Sequence, residues 1–180
     1  MIKSLLIEFM KLIKTGEIEI YNEFSLQHEL GIFLRERLPE YKVQFERNTK
    51  FFGLAGLVKH EMDIVIYNDT MKFAVELKYP LNGQHPEQMF SFVKDICFME
   101  QLRLQGFDRT YCLTVVKDKK FYDGVKKDGI YAYFRDGKSV KGVITKPTGA
   151  KDEIVKIERD YNIDWIGAGK EYKYYIVEIE

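Results

Sequence analysis

The spacing of apolar residues changes several times along this chain, and each change marks an element. Ile2, Leu5, Leu6, Phe9, Leu12 and Ile13 recur at helical intervals, predicting a helix over residues 2–14 that Thr15-Gly16 ends. Leu26, Leu30, Phe33, Leu34 and Leu38 trace a second helical face. Asn22 suits its N-cap, because a short amide side chain accepts from the first free backbone amides, and Pro39 closes it. Residues 41–47 alternate as a strand does. Phe51 to Leu57 is apolar but broken by Gly53 and Gly56, a flap in the making. Two β-branched runs, Met62–Tyr67 and Lys72–Tyr79, then flank the polar Asn68-Asp-Thr-Met71. A loop from Pro80 to Pro86 leads to a helix over about 87–105, with Met89, Phe92, Val93, Ile96 and Met99 on one face and Gly106 at its end. Thr110–Val116 is continuously apolar, as suits a strand inside a sheet.

Beyond Lys117 the pattern turns to surface charge and short strands. Ile130–Arg135, the turn Asp136-Gly137 and Lys138–Thr145 are expected to form a hairpin. Residues 146–152 are expected as a loop, and Ile154–Glu158 and Tyr172–Glu180 as strands with Asn162–Trp165 between them. No long linker, repeat or low-complexity tract divides the chain, so residues 1–180 are expected as one domain whose tail, about 117–180, is a β-rich extension.

The two runs around Asn68–Met71 carry the chemistry. With a four-residue turn, Tyr67 faces Lys72, Val65 faces Ala74, Asp63 faces Glu76 and Glu61 faces Lys78. Alternation puts those charged groups on one face, and Met62, Ile64, Ile66, Phe73, Val75, Leu77 and Tyr79 on the other. Carboxylates opposed across a strand pair lie about 5 Å apart at Cβ and repel unless a cation neutralises them. Mg²⁺ or Mn²⁺ takes hard oxygen donors and keeps several waters, so Asp63 and Glu76, with the Leu77 carbonyl, form a candidate metal site. Lys78, on the same face, is placed to act on a water or on a phosphate.

Asp63 with Glu76-Leu77-Lys78 resembles the PD-(D/E)xK nuclease superfamily, with Met62 where that motif has proline. The expected order of helix, three strands, helix and strand over residues 22–116 is that of the restriction-endonuclease-like core, an α/β fold with a mixed sheet. The segment Asn22-Glu23-Phe24-Ser25, followed by Glu46-Arg47-Asn48, resembles the opening of members with an Asn-Glu-x-Ser helix and a Glu-x-Asn strand end. The resemblance implies metal-dependent phosphodiester hydrolysis of nucleic acid, with DNA the expected partner. Asp63, Glu76 and Lys78 are then the catalytic set, and Glu23 the third metal ligand, a choice its helical angle also favours. Glu29 stands in reserve, and His28, Glu46 and Gln88 are auxiliary candidates, with Lys94 a further polar position on the long helix. The alternative is a catalytically inactive module that keeps the fold to bind nucleic acid or protein.

Composition qualifies this picture without overturning it. With 46% hydrophobic and 14% aromatic residues the chain can build a sizeable core. Lys plus Arg and Asp plus Glu number 28 each, so no overall basic field attracts nucleic acid, and phosphate contacts must come from a local patch. Lys117, Lys119, Lys120, Lys126 and Lys127, interleaved with Phe121 and Tyr122, form one such run, while Lys50, Lys59 and His60 read equally well as solvated surface. Cys97 and Cys112 have no histidine at ligand spacing and read as core residues. No apolar run reaches membrane length and the opening residues lack a signal-peptide pattern, so a cytoplasmic protein is expected. One catalytic centre cuts one strand, so a cutter of both strands would be expected to act as a homodimer.

Overall fold

The computed structural model describes residues 1–149 and 152–180. In chain order the first elements are α1 (Ile2–Thr15), α2 (Glu23–Arg37), β1 (Lys42–Asn48), β2 (Glu61–Tyr67), β3 (Lys72–Lys78), α3 (His85–Leu104) and β4 (Arg109–Val116). They are followed by α4 (Tyr131–Arg135), β5 (Val140–Thr145), β6 (Ile154–Tyr161), β7 (Ile166–Ala168) and β8 (Tyr172–Ile179). The fold is mixed α/β: a six-stranded sheet in the order β1-β2-β3-β4-β8-β7, and a separate two-stranded sheet of β5 and β6.

Local chemistry sets the elements that matter for the site. Gly16, at φ 81°, ends α1 by donating its N–H to Ile13 and Leu12. At α2, Asn22 Oδ1 accepts from Ser25 N at 2.7 Å while Ser25 Oγ accepts from Asn22 N at 3.0 Å. This reciprocal cap locks the first turn, in which Glu23 and Phe24 sit. Between β2 and β3, Asn68 Oδ1 accepts from the N–H groups of Thr70 and Met71 at 3.0 and 2.9 Å, closing the turn with its own side chain. The register is the expected one for Tyr67 with Lys72, Ile66 with Phe73, Val65 with Ala74 and Ile64 with Val75, but the ladder ends there, and the expected pairings of Asp63 with Glu76 and Glu61 with Lys78 are not among its pairs.

β3 and β4 are parallel and every other pairing is antiparallel, so the chain must cross between them, and α3 makes that crossing. One side of the large sheet packs on α1 and α2 through Ile64, Ile66, Phe73, Val75 and Leu77. The other packs on α3 through Val65, Ala74, Cys112 and Val177. β4, flanked on both edges and covered on both faces, is the continuously apolar strand.

Three expectations are corrected. Met62, expected on one face with Ile64, packs in the α3-side cluster while Ile64 packs on the other. Alternation breaks between them, opposite Glu46, which β1 carries at φ 47° and which interrupts the β1–β2 ladder between Phe45–Ile64 and Arg47–Met62. Residues 130–135 do not form a hairpin arm: Tyr131–Arg135 is a short helix, because Ile130, Tyr133 and Phe134 lie at helical spacing and bury together against Phe92. Lys138 N donates to Ala132 O, ending that turn, and β5 pairs with β6 instead. The tail is also more than an extension. β8 lies inside the large sheet, paired with β4 from Thr110–Ile179 to Val116–Lys173, and only β5 and β6 form an added layer. That layer is pinned to α3 by Glu100, whose carboxylate accepts from Glu158 N, Arg159 N and Tyr161 OH at 2.9 Å each. The loop expected over 146–152 includes positions 150 and 151, which lie outside the described residues.

α2 lies close on β1 because Gly31 leaves room for the Phe45 ring, and a Cβ at Gly31 would stand inside contact distance of it. Gly31→Ala should therefore destabilise the protein by roughly 1–3 kcal/mol in denaturant unfolding, despite alanine's better helix propensity. Trimming the ring with Phe45→Leu should make the same glycine substitution much less costly, and additive costs would sink the explanation.

Candidate functional site

The site forms where β2 and β3 separate. Their ladder ends at Ile64–Val75, and the next acceptor for Leu77 N is a side chain, Asp63 Oδ2, at 2.7 Å. Glu76 Oε1 in turn lies 3.4 Å from Asp63 N. Glu76 is 1% exposed and pairs with Lys59, whose Nζ also lies 3.1 Å from Asp95 Oδ1 on α3. Lys78 Nζ lies 3.5 Å from Asp95 Oδ2, 3.7 Å from Glu23 Oε1 and 3.1 Å from the Leu77 carbonyl. Glu23 Oε2 accepts from Tyr79 N at 3.0 Å, so the first turn of α2 is tied to the end of β3.

Burial dominates the shifts of the two acids Asp63 and Glu76. It pushes the Asp63 carboxyl up to about 6, the Lys59 ammonium, the Leu77 N–H and Lys78 only partly opposing it. Burial, reinforced by Asp63 and Asp95, holds Glu76 well above the ordinary carboxylate range. For the lysines the charges prevail: burial would lower Lys78, but Asp95 and Glu23 outweigh it and raise it to about 12. Lys59 is likewise raised, Asp95 and Glu76 prevailing over its desolvation. Both lysines are thus ammonium ions at neutral pH.

Glu23 and Glu46 both line a cavity of about 260 Å³ with Asp63, Phe24, Gln27 and Leu77. Gln27 donates to Glu46 Oε1 and, at 2.9 Å, to the Asp63 carbonyl, bridging α2 to the irregular point of β1 and β2. His28 and Glu29 lie 3.8 Å from each other on α2 and line none of this cavity. Gln88 donates to Asn82 Oδ1 at 3.1 Å and borders a neighbouring groove with Glu23 and Lys78. Lys94 pairs with Glu153 at 2.7 Å.

Sequence reasoning missed Asp95 and Gln27 and left Lys59 open between a phosphate contact and solvated surface. Asp95 had a signal, since it falls within the apolar stripe of α3, one residue before Ile96 and four before Met99. Gln27 likewise interrupts the buried face of α2 three residues before Leu30. Lys59 lies in an irregular segment, where no periodicity indicates direction.

Whether these residues suit a divalent cation turns on their donors. Asp63, Glu76, Asp95, Glu23 and Glu46 supply carboxylate oxygens against the two ammonium groups of Lys59 and Lys78. Asp95 Oδ2 is buried without a hydrogen bond. Among the described residues no three acidic, histidine or cysteine side chains converge closely enough to hold a metal on their own. The carboxylate oxygens of these residues are hard donors, the type that Mg²⁺ and Mn²⁺ take alongside water. Comparison with protein-family models, curated proteins and solved structures finds no match for the chain.

Because Asp63 has a higher pKa folded than its ordinary 3.8, its contribution to stability is fully present below about pH 4 and is lost as pH rises through about 6. Without divalent metal, Asp63→Asn should therefore gain stability relative to the parent across that window, on the order of 1–3 kcal/mol by chemical denaturation at a series of pH values. A pH-independent difference between the two proteins would contradict the assignment.

Proposed function

We propose that this protein is a Mg²⁺- or Mn²⁺-dependent phosphodiesterase acting on nucleic acid, built on a restriction-endonuclease-like core. The observation that carries the proposal is the splayed end of the β2–β3 hairpin, where the Leu77 N–H holds Asp63 next to Glu76 and one residue before Lys78. The chain order of α2, three strands, α3 and β4 accords with that core. Asp63 and Glu76 would hold the ion, which when bound supplies a Lewis acid and an acidified water.

Each remaining role follows from the charges. Lys78, an ammonium at neutral pH, donates hydrogen bonds to a phosphate oxygen and stabilises the charge that grows there, which excludes it as a resting-state base. Glu23 and Asp95 hold its side chain from two sides. Lys59 keeps Glu76 and Asp95 from repelling each other while the site is otherwise uncompensated. That same ammonium favours the second reading, a binding module without catalysis, since it already neutralises the most buried acid.

Given Mg²⁺ or Mn²⁺, the purified protein should cleave a DNA or RNA substrate from a broad panel. Asp63→Ala and Lys78→Ala should each lower the rate by about 100-fold or more. By calorimetry Lys78→Ala should still bind Mn²⁺ whereas Asp63→Ala should not. Binding without metal-dependent cleavage, or cleavage undiminished in both variants, would leave the binding-module reading in its place.

A further inference from the structure

Three hollows adjoin along the candidate site, and Lys78 lines two of them. The 260 Å³ cavity beside Asp63 shares Glu23 and Phe24 with a groove of about 490 Å³, and that groove shares Lys78 and Ser91 with a third hollow of about 360 Å³ that reaches Lys94 and Lys146. The groove and the third hollow thus adjoin at Lys78 and Ser91, giving a path past the candidate catalytic lysine. Its two ends differ in chemistry.

At one end stands Phe24. It directly follows Glu23 in the capped first turn of α2, so its backbone is fixed, yet its side chain is 71% exposed and packs in neither core cluster. Leu81, 70% exposed, borders the same groove. Phe24 and Leu81 together give the groove an exposed apolar side that a ligand can cover. At the other end, Lys94 from α3 and Lys146 beyond β5 hold the same carboxylate, Glu153, at 2.7 and 3.1 Å. Two ammonium groups converging on one exchangeable oxyanion suit a phosphate equally well.

An aromatic face and a pair of cations at opposite ends of one groove match the two parts of a nucleotide chain, base and phosphate. A base can lie on Phe24 only when one of its faces is free, which the interior of a duplex does not offer. We propose that the groove takes single-stranded nucleic acid, with an unpaired base stacked on Phe24 and the backbone running past Lys78 to Lys94 and Lys146. This deepens the phosphodiesterase reading and rests on it. A single strand needs one catalytic centre, so no dimer is required.

The test is fluorescence anisotropy with a short labelled DNA or RNA strand and the matching duplexes, in Mg²⁺, on an Asp63→Asn background that does not cut. Single strands should bind about tenfold or more tightly than duplexes. Phe24→Ala should weaken single-strand binding about tenfold while leaving duplex binding and thermal stability unchanged, the ring being exposed. Glu153→Gln, which frees both lysines, should tighten binding and steepen its dependence on salt. Equal or tighter duplex binding, or no effect of Phe24→Ala, overturns the proposal while leaving the phosphodiesterase reading standing. A change in oligomeric state on Phe24→Ala would assign the ring to a second copy of the chain instead, and no binding of any nucleic acid would remove both readings.

Discussion

The arrangement of this molecule depends on one substitution of acceptor, the Asp63 carboxylate in place of a backbone carbonyl for Leu77 N–H. Ordinary pairing of β2 with β3 stops at Ile64–Val75, and an unpaired strand end inside a protein leaves amides that cost roughly 1–3 kcal/mol each if unsatisfied. The side chain meets that demand and in doing so is held at the edge of the sheet rather than turned into solvent. Opposite, Glu46 in the left-handed region interrupts the β1 ladder at the same level, and Gln27 satisfies both the Glu46 carboxylate and the Asp63 carbonyl. Such a backbone conformation costs about 1–3 kcal/mol outside glycine and persists where the surroundings impose it.

Separating the strands has an electrostatic consequence. Glu76 and Asp95 are brought into the interior, where isolated charges are strongly disfavoured, and Lys59 and Lys78 enter with them. The cluster resembles an ion-pair network in its contacts, but Asp63 and Glu76 are held above their ordinary range while Lys59 and Lys78 are held up as well. The carboxylates of Asp63, Glu76, Asp95, Glu23 and Glu46 stand against only the two ammonium groups of Lys59 and Lys78. That imbalance is what gives the proposed divalent ion, and the phosphate of a substrate, somewhere to act.

The remaining architecture serves to hold these groups still. α2 brings Glu23 and Gln27 from one face of the sheet, and α3 brings Asp95 from the other. β8 closes the far side of β4, so the parallel pair β3 and β4 that carries Glu76 and Lys78 is interior to the sheet and braced from both edges.

Much of this was legible in the chain. Helical spacing identified α1, α2 and α3, alternation and a polar turn identified the β2–β3 register, and that register brought Asp63, Glu76 and Lys78 into consideration together. These are local properties, set by side-chain period and turn length, and a sequence carries them in full. What it does not carry is the partner of each face. The reversal of Met62, the helix at Tyr131–Arg135 and the entry of β8 beside β4 all follow from burial against distant elements. Asp95 and Gln27 were visible as polar residues within apolar stripes, but only packing reveals that they point at Lys59, Lys78 and Glu46. Lys59, in an irregular segment, had no periodicity to read, and its place between Glu76 and Asp95 was decided by the tertiary structure alone, because a buried acid selects whichever cation the fold brings within reach.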